Sequence, residues 1–227
     1  MRLDPDYNDY VNRWAELYRD QTYDQGLSGY FLRKSHVWSE ELFGPDIHFA
    51  KVVEVGAGLG EHFKHIRHSF DEYWITDLDL QIDETKLLSN FKDEGKILFS
   101  KEDATKLSFE NEYCDRVIAA HVLEHLHRPH EVIREWMRIL KPGGVMTLVL
   151  PCDPGLLWRL GRYMVARKKF LKAGIEYDYW MAREHVNPVN NLVSFVKYFF
   201  PSVEEKWLPC RVPSIDINLF YIVHVRK

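Results

Sequence analysis

The chain has 227 residues, of which 46% are apolar and 28% charged, and its formal net charge is −4. This composition is that of one ordinary globular domain and excludes disordered and fibrous proteins. The slight excess of acidic over basic residues argues against a general nucleic-acid binder. The three cysteines are too few for a disulfide framework or a four-thiolate zinc site.

The sequence carries no segment that would direct it to or through a membrane. The first residues, MRLDPDYNDY, lack the apolar core of a secretory signal. No run approaches the roughly 18 apolar residues of a membrane-spanning helix. We therefore expect a cytoplasmic protein with a single domain over residues 1–227.

Residues 1–46 are predicted to form a helical cap. Aromatic residues recur at helical spacing between Tyr7 and Tyr18. Two glycines, Gly26 and Gly29, interrupt this pattern before a second helical stretch from Tyr30 to Phe43.

Short apolar strands then alternate with helices over residues 47–151. Strands are predicted over Ala50–Val55, Tyr73–Leu78, Ile97–Ser100, Asp115–Ala120 and Val145–Leu150. Helices are predicted over Gly60–Phe70, Ile82–Phe91 and His130–Leu140, the last one ended by the turn Pro142-Gly143-Gly144. This alternation predicts an α/β fold with a parallel sheet covered by helices on both faces.

The alternation stops after Pro151. A long amphipathic helix is predicted over Gly155–Ala173 and a second helix over Asn187–Phe199. Two strands, Val203–Leu208 and Ile217–Val225, follow. We assign residues 152–200 to a helical insertion and residues 201–227 to a final strand pair.

The first predicted strand ends in a glycine-rich turn. Glu54 is followed by Gly56, Gly58 and Gly60, and glycines at a strand-to-helix turn let a ligand approach the main-chain N–H groups. Asp77, 17 residues beyond Gly60, stands near the end of the next strand, from where a carboxylate can accept both hydroxyls of a ribose. The pattern indicates a nucleoside-containing ligand.

Two residues disfavour a dinucleotide. Glu61 occupies the position where the dinucleotide fingerprint requires its third glycine, and it would project toward a pyrophosphate. Glu54 suits a ligand that carries an amino group rather than phosphates.

Five segments in order resemble the class I S-adenosylmethionine (SAM)-dependent methyltransferases, particularly the small-molecule branch called the type 11 family. They are VVEVGAGLG, ITDLDL, EDATKLSF, CDRVIAAHVLEHL and EVIREWMRILKPGGVMTLVLP, and together they cover about Lys51 to Pro151. The resemblance implies a Rossmann-like, mostly parallel sheet of seven strands whose last strand is antiparallel, with extra helices at the N-terminus and after the fifth strand.

The resemblance also implies the cofactor contacts. The residues that it places at the methionine end of SAM are Glu54, Gly56, Ala57, Gly58 and Gly60. Asp77 would hold the ribose, Leu78 would lie beside the adenine, and Asp103 and Ala104 would read its amino group and ring. Residues 47–151 would bind SAM, and the helical insertion 152–200 would lie on the side of the methyl acceptor.

The string HVLEH, His121 to His125, also fits an inverted zinc-peptidase motif. That motif requires one helix to carry both histidines, whereas the residues just upstream, DRVIAA, are typical of a strand. We therefore predict no metal and keep a zinc hydrolase as a remote alternative. His125 has a plainer interpretation as a residue that packs on the sheet or binds the backbone.

The predicted helix Gly155–Ala173 is strongly basic. Its basic residues are Arg159, Arg162, Arg167, Lys168, Lys169 and Lys172, which fall mostly on one side, opposite a leucine-rich side. Three interpretations stay open: a solvated helix face, a surface that recognises phosphate, and weak contact with an anionic membrane. Nucleic acid is not expected, because no other part of the chain is basic.

The candidate catalytic residues are His121, His125 and His185. His121 lies at a strand end, where it would act as a base or line the SAM pocket. His185 belongs to a polar run before Asn187, which we expect to cap the next helix.

We expect methyl transfer to an oxygen or nitrogen of a small molecule, with S-adenosylhomocysteine as product. A phosphate-bearing acceptor such as a sugar, a surface-glycan precursor or a lipid precursor is favoured. The alternatives are methylation of a quinone or isoprenoid-linked ring, and a SAM-binding module without catalysis. The oligomeric state stays open.

Overall fold

The computed structural model describes residues 26–80, 82, 84–88 and 96–227. The helices in this part of the chain are α1 (Gly26–Ser39), α2 (Glu84–Leu88), α3 (Pro129–Ile139), α4 (Leu156–Gly161), α5 (Arg167–Lys172), α6 (Tyr177–Glu184) and α7 (Val189–Phe199). The strands are β1 (His48–Val55), β2 (Ser69–Asp77), β3 (Lys96–Lys101), β4 (Cys114–Ala120), β5 (Leu140–Pro151), β6 (Val203–Leu208) and β7 (Phe220–Arg226). The helix predicted between Tyr7 and Tyr18 lies outside the described residues.

The strands form one seven-stranded sheet in the order β3-β2-β1-β4-β5-β7-β6. Strands β1 to β5 run parallel to one another, whereas β7 runs antiparallel to both β5 and β6. The predicted α/β fold with an antiparallel last strand is confirmed. This topology brings the carboxyl ends of β1, β2, β4 and β5 to one edge of the sheet, where open α/β sheets bind their ligands.

Helices cover both faces of the sheet, which explains why consecutive apolar residues of its central strands are buried, such as Val52 and Val53 in β1 and the pair at 117–118 in β4. On one face, Ile133 and Trp136 of α3 and Leu192 of α7 belong to the same buried cluster as Val53 and Val117. On the other face, α1 lies against β5 and β7. None of the described helices combines the length and the apolar character that crossing a bilayer requires.

Helix α1 is fastened to the sheet by a buried ion pair. Arg116, in β4, donates from Nη1 to Oε2 of Glu40 across 3.0 Å, and both side chains are fully buried. His62 contacts Oε1 of the same carboxylate at 3.0 Å. Burial alone would raise the pKa of Glu40, but Arg116 and His62 hold it well below its usual range. The segment after α1 is therefore tied both to β4 and to the loop that follows β1.

The helix predicted over Gly60–Phe70 is wrong. The structure has only a single 3-10 turn, Phe63–His65, after which Ile66 is extended with φ −60° and ψ 135°. His62 is held by Glu40, and the ring of Phe63 packs against Tyr73 in β2 at 5.0 Å between centroids. These inward contacts leave no room for a continuous helix before β2 begins.

Three further boundaries differ from the predictions. Helix α1 begins at Gly26, so the two glycines start it rather than interrupt it. Strand β5 begins at Leu140, and the glycines expected to form a separate turn lie in a register shift of β5. In the predicted helix Ile82–Phe91, α2 occupies Glu84–Leu88, and residues 89–95 lie outside the described part.

Candidate active site

The glycine-rich turn lies at the carboxyl end of β1. Gly56 and Gly58 have φ values of +68° and +56°, which side chains rarely adopt. A Cβ at Gly56 would lie 2.5 Å from Cγ2 of Val122, so close packing requires glycine there. A Cβ at Gly58 would meet no heavy atom within 4 Å. The main chain at Gly58 therefore borders open space, into which any side chain would project.

Asp77, the last residue of β2, reaches this turn. Its Oδ2 accepts a hydrogen bond of 2.8 Å from the N–H of Gly58, and its Oδ1 accepts one of 3.0 Å from the N–H of Asp79. Leu78, the next residue, is 73% exposed. The structure thus brings the predicted ribose and adenine contacts to the edge of the glycine-rich turn.

Glu54 points into the protein. Its side chain accepts a hydrogen bond of 2.7 Å from the hydroxyl of Tyr73, and the residue is 2% exposed. Burial raises the pKa of this carboxyl, which favours the neutral form. Its contact with the amino group of a cofactor stays a prediction.

The segment after β3 lies beside the end of β2, because the N–H of Glu102 donates to the carbonyl of Asp77 at 3.0 Å. Asp103 closes a local turn: its Oδ1 accepts hydrogen bonds of 2.8 and 2.7 Å from the N–H and hydroxyl of Thr105. The carbonyl of Ala104 accepts a hydrogen bond of 2.9 Å from the indole N–H of Trp136 in α3. The adenine contacts assigned to Asp103 and Ala104 stay predictions.

His121 follows β4 directly, in a strained backbone conformation with φ +61°. Its Nε2 is 3.1 Å from Oγ of Ser35. Because the hydroxyl of Ser35 donates to the carbonyl of Leu32, it can only accept from His121, which places the ring proton on Nε2 and leaves Nδ1 unprotonated. Burial, helped by His125 and other histidines, lowers the pKa of His121 to about 3, so the ring is neutral near pH 7.

Glu124 lies between two of the predicted catalytic histidines. Its Oε1 is 3.9 Å from both Nδ1 of His121 and Nε2 of His125, and its side chain is 3% exposed. Its Oε2 has no hydrogen-bond partner among the described residues. Burial raises the pKa of Glu124 to about 8. An unpartnered buried carboxyl beside two histidines indicates a ligand site.

His125 binds the backbone, as its plainer interpretation expected. Its Nδ1 lies 2.9 Å from the carbonyl of Glu184 and must donate, which leaves Nε2 unprotonated in the neutral ring. Burial and the neighbouring His185 lower the pKa of His125 to about 4. The rings of His125 and His185 meet edge to face, 4.8 Å between centroids.

His185 is oriented by Asp153, which follows β5. Oδ2 of Asp153 lies 3.0 Å from Nδ1 of His185 and 2.9 Å from Nη1 of Arg162. Burial alone would raise the pKa of Asp153, but the hydrogen bond from His185 and the charge of Arg162 hold it below its usual range. The ionised carboxylate keeps a proton on Nδ1 and leaves Nε2 of His185 able to accept one. A carboxylate-oriented imidazole of this kind is a typical general base.

A cavity of about 370 Å³ opens beside this pair, and Asp153, Arg162, Tyr163 and His185 contribute to its wall. An adjoining cavity of about 230 Å³ shares Arg162 and adds Arg159. The first volume is in the range of small-molecule sites, about 300–1,000 Å³. A larger cavity of about 880 Å³ lies at the opposite edge of the sheet, beside the C-terminal end of β7, remote from these groups.

The three candidate catalytic histidines therefore belong to one cluster: His125 contacts His185 directly, and Glu124 connects His125 to His121. Sequence reasoning placed Glu124 with the histidines only in the zinc-peptidase alternative, and it missed Asp153 altogether. Their positions directly after β4 and β5 were the available signal, because ligands bind at the carboxyl ends of parallel strands.

The cap predicted at Asn187 is wrong. Helix α7 begins after Pro188, and the amide of Asn187 instead donates to the carbonyls of Leu123 (3.1 Å) and Leu126 (2.7 Å). The amide satisfies buried carbonyls of the turn after β4 and thereby holds that turn against α7.

The HVLEH string lies at a strand exit and in a single 3-10 turn, Leu123–His125, not on one helix. The zinc-hydrolase alternative thus lacks the helix that its motif requires. Within the described ranges, no group of three or more His, Cys, Asp or Glu side chains is placed to hold a metal ion.

Comparison with known proteins relates part of the chain to one family. Residues 53–148 match the type 11 family described as "Methyltransferase domain". This match runs from β1 to β5 and so includes the glycine-rich turn, Asp77 and the histidines after β4.

Two of the curated relatives with similar sequences are named as methyltransferases of quinone-type molecules. The chain is 34% identical over 107 residues to the ubiquinone/menaquinone biosynthesis C-methyltransferase UbiE of Chromobacterium violaceum, covering 44% of this chain and 42% of that protein. It is 30% identical over 145 residues to the chloroplastic 2-methyl-6-phytyl-1,4-hydroquinone methyltransferase of Arabidopsis thaliana, covering 63% and 41%. The chain therefore spans less than half the length of these relatives.

Solved structures share the fold. The N-methyltransferase NodS from Bradyrhizobium japonicum, solved with S-adenosylhomocysteine, superposes with a TM-score of 0.60 at 16% identity, covering 95% of this chain and 98% of that one. A SAM-dependent methyltransferase from Archaeoglobus fulgidus gives a TM-score of 0.57 at 17% identity, covering 98% and 100%.

SAM fits the edge of the sheet where this match falls. The open space at Gly58 leaves the main chain accessible to a ligand. The carboxylate of Asp77 borders the same space and has acceptor capacity for ribose hydroxyls. Residues 53–148 thus match the type 11 methyltransferase family, the chain shares the fold of SAM-dependent methyltransferases, and the space beside Gly58 and Asp77 suits S-adenosylmethionine as the cofactor.

Proposed function

We propose that the protein is an enzyme that transfers the methyl group of SAM to a small molecule bound in the cavity beside His185. The observation that carries this proposal is the pair of Asp153 and His185, a carboxylate-oriented base at the wall of a 370 Å³ cavity. Through His125 and Glu124 the pair is connected to His121, and the residue after His121, Val122, lies against Gly56 of the glycine-rich turn.

When bound, SAM supplies a methyl group on a sulfonium that is already activated for transfer. The protein mainly has to align this group with its acceptor, which contributes roughly 7–11 kcal/mol to lowering the barrier. We assign the cofactor side to Gly58 and Asp77, and the acceptor side to the helical insertion of residues 152–200.

For an oxygen acceptor, His185 is the base of choice among the three histidines. His121 and His125 have pKa values lowered to about 3 and about 4, so their rings bind a proton weakly near pH 7. His185 alone among them has an ionised carboxylate to stabilise the imidazolium that forms when Nε2 takes the hydroxyl proton. Such a base contributes about 10²–10⁴-fold in rate. His121 then lines the cofactor pocket.

The charge at the cavity supports an anionic acceptor. Arg162 is engaged by Asp153, and Arg167 by Asp178. Arg159 lines the adjoining cavity, is exposed, and has no carboxylate partner in the part of the chain that is described. An arginine in this position suits a phosphate group, as in a sugar phosphate, a surface-glycan precursor or a lipid precursor.

Methylation of a ring carbon is the second candidate, and the quinone-type relatives favour it. Removal of a hydroxyl proton from a hydroquinone or phenol by His185 would make the adjacent ring carbon nucleophilic. After the methyl group is transferred, that carbon would release its own proton to solvent, which restores the aromatic ring. The position of the methyl group in the product separates the two candidates.

The experiment is a transfer assay with SAM labelled in its methyl group, against sugar phosphates, lipid phosphates and hydroquinones, with products identified by mass spectrometry. We expect transfer to one class, lost in His185→Gln and retained in His127→Gln, a change at an exposed histidine. A protein that binds SAM but methylates nothing would be a SAM-binding module without catalysis. Transfer that His185→Gln leaves unchanged would refute the assigned base.

A further inference from the structure

The helical segment of residues 156–172 exposes a row of apolar side chains. This segment, which we call the 156–172 helix, comprises α4, a π-helical turn over Arg162–Ala166, and α5. Leu156, Leu160 and Met164 follow one another at four-residue spacing and are 63%, 50% and 60% exposed. Tyr163 is exposed beside them. Contiguous exposed apolar residues on a protein surface mark interaction sites.

The opposite side of the helix already has its partners. Arg162 binds Asp153, and the ring of Trp158 packs against that of Phe220 in β7, with 5.8 Å between their centroids. Phe170 is buried in a cluster with Ala166 packed against it. These inward residues also recur every four positions, which the π-helical turn permits by adding a residue to one turn. The amphipathic pattern would suggest that the leucine-rich side of the helix is buried. In the structure, Leu156 and Leu160 are exposed instead.

Basic residues extend the exposed row of apolar side chains. Residues 156–172 contain six basic and no acidic residues, although the whole chain has a net charge of −4. Lys168 and Lys172 extend the four-residue row beyond Met164 and are exposed. Neither lysine has a carboxylate partner in the described ranges. Apolar and cationic side chains thus share one exposed face.

We propose that the 156–172 helix docks the protein on an anionic membrane surface. Leucine and methionine side chains would enter the boundary between headgroups and acyl chains, and the lysines would lie against anionic headgroups. A second copy of this chain is a poorer occupant, because it would bring two sets of uncompensated lysines together. Nucleic acid would leave the leucine row exposed to water.

Docking would place the acceptor cavity at the lipid surface, since Tyr163 belongs both to the exposed face and to the cavity wall. The docking itself depends on neither catalysis nor SAM. Its test therefore distinguishes failure of this inference from failure of the proposed function.

The test is cosedimentation of the full chain with vesicles of phosphatidylcholine alone and of phosphatidylcholine with one quarter phosphatidylglycerol, in about 0.1 M salt. We expect strong partitioning to the anionic vesicles only. Lys168→Gln with Lys172→Gln should weaken it by about 25-fold, fivefold for each lysine. Leu160→Glu with Met164→Glu should abolish it.

Tyr198→Glu is the matched control, because Tyr198 on α7 is 82% exposed but lies outside the 156–172 helix. It should bind vesicles as the wild type does. Unchanged SAM affinity and unchanged urea midpoints would show that all variants fold. No partitioning of the wild type, or equal loss in Tyr198→Glu, would overturn the inference. So would a wild-type dimer that Leu160→Glu with Met164→Glu dissociates, since the occupant would then be a second copy.

Discussion

Nδ1 of His185 lies 3.0 Å from Oδ2 of Asp153, although the two residues are 32 positions apart in the chain. One of them follows β5 and the other follows α6, so the pair joins the sheet to the helical insertion. The carboxylate fixes the ring proton on Nδ1 and leaves Nε2 as the acceptor of a substrate proton.

Replacing Asp153 by Asn should therefore lower kcat by about 10²–10⁴-fold with a hydroxyl acceptor, because the amide can neither fix the tautomer as firmly nor stabilise the imidazolium. The KM for SAM should not change. Single-turnover methyl transfer measured between pH 6 and 9 checks this. A fall in SAM affinity with unaltered turnover would show that the pair serves the cofactor instead.

Buried histidines should make the protein sensitive to acid. Burial lowers the pKa of His68 to about 4 and that of both His121 and His224 to about 3, from 6.5 in the unfolded chain. As the pH falls below 6.5, the unfolded chain binds protons that the folded chain excludes, so the free energy of unfolding decreases toward about pH 4. Each group contributes at most about 1.4 kcal/mol per pH unit. Glu124, whose pKa is raised to about 8, and Glu54, whose pKa burial also raises, act in the opposite sense. His125, whose pKa is lowered to about 4, adds to the three histidines, so we expect a net loss of stability in acid.

Urea unfolding at several pH values between 7 and 4.5 measures this dependence. His68→Gln should reduce its slope, whereas His48→Gln, at a histidine whose side chain is 52% exposed, should leave the slope unchanged. A free energy of unfolding that stays constant over this range would contradict the burial of these rings.

The buried pair of Glu40 and Arg116 should respond differently to single and double replacement. Glu40→Gln or Arg116→Met alone leaves a charge without its partner in the interior and should cost about 3–5 kcal/mol. Glu40→Leu combined with Arg116→Met should recover much of that loss. Removal of the exposed pair of Arg128 and Glu131 should change the free energy of unfolding by less than about 1 kcal/mol. Additive losses in the double variant would argue against direct pairing.

The two central glycines of the turn should differ when replaced by alanine. Gly58→Ala should cost about 1–2 kcal/mol from its positive φ, keep the fold, and weaken SAM binding at least roughly tenfold, because the methyl group enters the open space. Gly56→Ala should destabilise the fold more strongly, since its Cβ would lie 2.5 Å from Val122. Unfolding curves and calorimetric SAM titrations separate the two effects. Full SAM affinity in Gly58→Ala would place the cofactor elsewhere.

The parts of the fold that sequence reasoning predicted correctly depend on local constraints. Strands β1, β4 and β5 are buried on both faces, so each contains a stretch of consecutive apolar residues, and such stretches are visible in the sequence. The glycines and Asp77 were identified because a turn with positive φ and a strand-end carboxylate have recognisable residue types.

The parts that it could not predict depend on contacts between distant residues. His62 and Phe63 fit a helical pattern, yet their contacts with Glu40 and Tyr73 prevent a helix. The spacing of apolar and basic residues indicated that the 156–172 helix has two different sides, but not which side is buried. The π-helical turn adds a residue to one turn and so shifts which positions face the protein. The sequence did not distinguish Asp153 from the other acidic residues among the 34, because its contact with His185 depends on the fold.

Calorimetric titration of wild type and Asp77→Ala with SAM, S-adenosylhomocysteine and NAD tests the central claim most directly. Asp77 lies beside the open space at Gly58, and loss of its hydrogen bonds to ribose should weaken binding by about 10–100-fold. We predict micromolar binding of the two adenosyl compounds to the wild type, no binding of NAD, and binding weakened by about 10–100-fold in Asp77→Ala. Equal SAM affinity in wild type and Asp77→Ala, with both proteins folded, would contradict the cofactor site described above.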